Sequence, residues 1–104
     1  MNQQEFEKML HDLLLSVLDS NEVKILSTRY GLGCVTQSIK KAEQTLGISA
    51  ATIRKIEQQA ISKLVNSSKT GPVVDQLSKL NLAEYQTQGV GGYWLLAMQI
   101  LRYY

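Results

Sequence analysis

Arg54, Lys55, Gln58 and Gln59 stand close together in the chain, and their side chains carry its most specific chemistry. A guanidinium pairs bidentately with the O6 and N7 edge of guanine and a carboxamide pairs likewise with adenine, so Arg54, Gln58 and Gln59 have the groups that read bases. Lys55 and Lys63 offer point charges suited to phosphates, contacts that position a protein without reading sequence. Spacing matters as much as type. Ile53, Ile56, Ala60 and Leu64 recur among these residues at intervals of three and four, so one helix would bury the aliphatic stripe and turn the polar residues outward. Taken singly, each polar residue is an ordinary solvated side chain; their joint placement makes the sharper reading better.

The elements before this helix explain how it would be held. A first amphipathic run places Ile39, Ala42 and Leu46 on one stripe, Gly47 supplies a residue that tolerates positive φ, and Ser49 caps the second helix. Two helices joined by so short a turn have the layout of a helix-turn-helix, whose second helix reads base edges with its N-terminal turns. Ser49, Ala51 and Thr52 at that end, with Lys40 and Lys41 on the first helix, complete the expected DNA-facing set. Further upstream, Phe6, Met9, Leu10, Leu13, Leu14 and Val17 predict a strongly amphipathic helix. Asp19 and Glu22 have the form of a capping box that starts a buttressing helix at about Ser20, with Val23, Leu26 and Tyr30 inward. Gly31 and Gly33 end it, and Thr36 or Ser38 caps the next. The expected fold is all-α, a small helical bundle containing a helix-turn-helix, with helices at about 3–18, 20–30, 38–46 and 49–66 in a domain spanning 1–69.

Residues 70–104 form the expected C-terminal extension. Ser67, Ser68, Thr70, Gly71 and Pro72 read as a linker, after which Val73, Val74, Leu77 and Leu80 make one short helix. Gly89, Val90, Gly91 and Gly92 read as a hinge before an apolar helix of twelve residues, 93–104. Such a helix spans about 18 Å, well short of a bilayer, and only Arg102 would serve a membrane surface. Being apolar nearly all round, it belongs either in the core or in a subunit interface. The interface is favoured, with Tyr93, Trp94, Leu95, Met98 and Leu101 as its residues, because aromatic side chains concentrate in interfaces and a dimer would set two reading helices on successive major grooves.

Charge and composition narrow the class. With 44% hydrophobic and 19% charged residues the chain is globular. Its net charge of +2 is unevenly placed: residues 1–20 carry four carboxylates against Lys8, whereas residues 38–69 carry six cations against Glu43 and Glu57. The positive charge thus sits on the unit expected to face DNA, at a level that predicts modest, salt-sensitive binding. A single cysteine, Cys34, excludes an internal disulfide, and no cysteine–histidine cluster offers a zinc site. The acidic amino terminus lacks the start of a signal peptide, so the cytoplasm is the expected compartment. His11, alone among apolar neighbours, reads as a surface or rim histidine. With no paired-carboxylate site, phosphate loop or nucleophile elbow, an enzyme is not expected, and no cofactor is implied.

Two strings in order, Leu18, Glu22, Val23, Ile25, Leu26, Arg29, Tyr30, Gly31 and Leu32, then the segment 53–64, resemble region 4, the promoter-reading domain of primary-class bacterial sigma factors. The resemblance spans roughly residues 18–65 and implies a helix-turn-helix that binds promoter DNA and docks on the flap of the polymerase β-subunit. Arg54 matches the family's arginine, and Lys55 stands where the family has a base-reading glutamine. Ala50, Ala51 and Thr52 replace charged residues that touch the promoter, so those contacts are not carried over. The small alanines would either let the helix approach thymine methyl groups or mark a module that binds RNA polymerase or another regulator without reading DNA. With no promoter-melting region in this sequence, initiation is expected to need a second protein, as in a split sigma factor. A second resemblance, to small Trp-repressor-like proteins, rests on the chain length and the segment 47–53, and implies an intertwined dimeric repressor; the strings 29–32 and 53–64 fit the sigma pattern better.

Overall fold

Helix starts are written into side chains. Asn2 accepts from the Glu5 N–H at 2.8 Å while Glu5 accepts from the Asn2 N–H, and this capping box opens α1 (Gln3–Val17). Asp19 and Glu22 repeat the device for α2 (Ser20–Tyr30), as the sequence predicts. Ser38 caps α3 (Ile39–Leu46) and Ser49 caps α4 (Ala50–Asn66). The ends are equally legible: Gly31 and Gly47 adopt left-handed φ of 73° and 69°, and their N–H groups close the last turns onto Ser27 and Glu43. At Gly31 a Cβ would also run into Thr36 and the Cys34 carbonyl, so this turn needs glycine for room as well as for φ.

The computed structural model describes residues 1–87 and 92–104, and among these there is no strand. Beyond α4 come three further helices, α5 (Thr70–Ser78), α6 (Leu82–Thr87) and α7 (Gly92–Tyr103), making a small all-α bundle. Thr70, Gly71 and Pro72 are the first turn of α5 and not a linker. A proline is tolerated there because a first-turn N–H has no helical acceptor, and the Thr70 hydroxyl instead bonds the Leu64 carbonyl of α4, fixing the corner. Helix α6 has no counterpart among the elements expected from the sequence. The expected hinge at Gly89, Val90 and Gly91 lies outside the described residues, whereas Gly92 is a helical residue of α7.

Among the described residues two hydrophobic cores form. The larger joins Phe6, Leu10 and Leu14 of α1 to Leu26 of α2, Leu64 of α4, Leu77 of α5 and Leu96 and Ile100 of α7. This core takes residues from both sides of position 69, and α5–α7 complete what α1 begins. Tyr85 of α6 stacks on Phe6 with ring centroids 4.4 Å apart, and its hydroxyl bonds the Met1 carbonyl, so α6 holds the start of α1. The smaller core lies under the helix-turn-helix: Ile25, Ala42 and Ile53 are buried, with Ile39, Leu46, Ile48 and Ile56 packed around them. No described helix is long and apolar enough to cross a membrane.

Candidate nucleic-acid interface

The α3–turn–α4 unit rests on the smaller core, and α4 buries Ile53, Ala60 and Leu64 along one side. Its other side carries the expected reading residues. Ala51, Thr52, Arg54, Lys55, Gln58 and Gln59 lie on it and are exposed, with Ala50 at its half-buried edge, while Lys40 and Lys41 are exposed on α3. Among the described residues there are three ion pairs, and Arg54, Lys55, Lys40 and Lys41 enter none of them. Their charge is available to an external anion.

Three expected contact residues carry an internal task. The Ser49 hydroxyl accepts from the Thr52 N–H at 3.2 Å, and the two hydroxyls bond each other at 2.9 Å, so both are committed first to capping α4. Lys63, expected from the sequence to meet phosphate, donates its ammonium to Glu22 Oε1 at 2.8 Å. That hydrogen bond, ahead of simple charge attraction, holds the lysine above its ordinary pKa of 10.5. The lysine is half-exposed; the carboxylate is buried and also accepts from the Asp19 N–H. Lys63 thus serves the fold by satisfying a buried acid.

A second cross-link orients α4. Arg29 Nε donates to Glu57 Oε1 at 2.6 Å and its Nη1 donates to the Gln37 carbonyl at 2.8 Å, tying the end of α2, the following loop and the middle of α4 together. Both side chains are less than a third exposed, so solvent screens the pair only in part. Tyr30, beside it, has its phenol pushed up by burial first and by Glu57 second. Neither pair is legible in the sequence: 28 residues separate Arg29 from Glu57 and 41 separate Glu22 from Lys63, and no local pattern links such positions. Yet each joins the segment 18–32 to the segment 53–64.

Lys55, Gln58, Gln59, Ser62 and Lys63 line an open groove along α4, which adds Ser62 to the outward set. The tail residues divide. Tyr93 is in the large core, with only 8% of its surface exposed, so it is not available to a partner; burial raises its phenol pKa. Trp94 and Leu101 are partly buried against the core, and Leu95 and Met98 are exposed. One side of α7 is core, with Leu96, Ala97 and Ile100 buried, and the opposite side is open. No family model, curated protein or solved structure matches the chain.

Proposed function

We propose that the chain is a DNA-binding transcription regulator, or a sigma-region-4-like subunit, with α4 as its recognition helix and no enzymatic activity. One observation carries the reading: α4 buries Ile53, Ala60 and Leu64 completely while Arg54, Lys55, Gln58 and Gln59 remain exposed, the two cations in no ion pair among the described residues. In this reading Arg54 and the glutamines meet base edges, Lys55 with Lys40 and Lys41 meets phosphates, and Ala51 and Thr52 sit nearest the groove floor. The cytoplasm is the proposed compartment, and a homodimer the proposed assembly, since two-fold symmetry would place two α4 helices on neighbouring major grooves.

A second reading is favoured by Ala50 and Ala51, which bring no hydrogen-bonding side chain to the first turn of α4. In it the same scaffold docks on RNA polymerase, a split-sigma partner or another regulator. Anisotropy of labelled duplex DNA, titrated at low and moderate salt, separates the two. Salt-steep binding that weakens in the double variant Arg54→Ala, Lys55→Ala supports the first, and failure to bind at any salt supports the second.

A further inference from the structure

Two shallow grooves meet at Gln99 on α7. One runs between α4 and α7, with Tyr30, Ile61, Val65 and Tyr103 along it and Glu57 at its α4 wall. The other lies along the outer side of α7, formed by Leu95, Met98, Leu101 and Arg102. Together they make one continuous, largely apolar band. Leu95, Met98 and Tyr103 are 46%, 41% and 56% exposed, so the chain's own core leaves the band uncovered.

The charges at its two walls say what fits there. Glu57 stands on the α4 side, with Arg29 engaging Oε1 alone. Arg102 stands on the α7 side, exposed, in no ion pair among the described residues and with its guanidinium 5.4 Å from the centre of the Tyr103 ring. In an isologous dimer the same patch meets itself, so whatever one residue touches in the partner is returned by symmetry. A band with an acid on one helix and a cation on the other satisfies that requirement. Methionine, tyrosine and arginine are also the residue types that interfaces favour.

We propose that this band is the interface with a second copy of the chain: the Leu95 and Met98 side of α7 seats in the partner's α4–α7 groove, and Arg102 of each subunit faces Glu57 of the other. The proposal rests on the homodimer in the functional reading but not on DNA binding. It brings Ile61 and Val65 of α4 into the interface, so pairing the subunits fixes the separation of their two reading faces.

Sedimentation velocity of the full chain without DNA, over a range of micromolar concentrations, tests it. The wild type is expected to be a dimer that dissociates on dilution. Met98→Glu alters a side chain outside the core and should sediment as a monomer at every concentration with an unchanged far-ultraviolet spectrum. Arg102→Glu should raise the dimer Kd about tenfold or more, and Arg102→Lys much less. A wild type that is monomeric throughout, or a dimer indifferent to both Met98→Glu and Arg102→Glu, overturns the proposal. The DNA reading fails separately: a monomer that still binds duplex DNA removes the interface and keeps that reading, and a variant-sensitive dimer that binds none does the reverse.

Discussion

Salt dependence of DNA affinity turns the exposed face of the helix-turn-helix into a number. Four of its cations, Lys40, Lys41, Arg54 and Lys55, are exposed and enter no ion pair among the described residues. If each neutralises one phosphate, log Kd rises against log salt with a slope of about 3.6 per engaged protomer, and raising salt from about 50 to about 200 mM weakens binding about 150-fold. Replacing both Arg54 and Lys55 by alanine should halve the slope to about 1.8 and shrink the same loss to about twelvefold. Lys63 is the internal control. It carries equal formal charge on the same helix, but its ammonium is held by Glu22, so Lys63→Ala should leave the slope nearly unchanged while lowering the melting temperature. Fluorescence anisotropy of a labelled duplex across a salt series gives all three slopes. Equal slopes in the wild type and the double variant would rule out phosphate contacts at Arg54 and Lys55, and a Lys63→Ala slope lower by about 0.9, one full phosphate contact, would rule out an internally held Lys63.

Other consequences stem from packing and protonation. A Cβ at Gly92 would overlap the backbone carbonyl of Tyr30, so Gly92→Ala should shift α7 off the end of α2 and cost about 1–3 kcal/mol in urea unfolding, whereas the same change at Gly33, which has open space around it, tests only the positive φ. Arg29→Ala leaves Glu57 and the Gln37 carbonyl without their donor and should cost about 1–3 kcal/mol, together with faster exchange of amides in the loop before α3. Tyr30 and Tyr93 are raised above their ordinary value of 10.0 and Lys63 above 10.5. A raised folded pKa means that the folded state holds its proton longer than the unfolded chain does, so these groups favour folding fully at lower pH and lose that contribution as pH climbs past about 10. Chemical denaturation should therefore show no pH dependence from these groups near neutrality and a decline above that point, and a rise in stability there would contradict the assignment.

What the sequence disclosed was whatever is local. The Asp19–Glu22 box, the glycines at 31 and 47, the Ser49 cap and the stripe Ile53, Ala60, Leu64 each act within one turn or one helix, and each is in place. The misreadings come from longer range. Pro72 and Gly71 look like breakers until it is seen that Thr70 bonds Leu64 and makes them a first turn. The six residues of α6 are too few to show a period, and what settles them is Tyr85 stacking on Phe6, far away in the chain. On α7 almost every residue is apolar, so hydropathy cannot choose between sides; the neighbours choose, taking Tyr93, Leu96 and Ile100 inward and leaving Leu95 and Met98 out.

The separateness of the smaller core bears on how the protein breathes. Ile39, Ala42 and Leu46, the apolar stripe of α3, all belong to that cluster and none to the larger one, so among the described residues detaching α3 breaks core contacts with α2 and the turn-and-α4 segment. A helix of eight residues cannot stand alone in water. Its amides should therefore exchange by a sub-global opening at lower free energy than those of α1 or the C-terminal half of α4, in a protection pattern that native-state exchange would map. The brace of α4 would then open before either of those segments, and any polyanion that grips Lys40, Lys41 and Lys55 together would tighten it first.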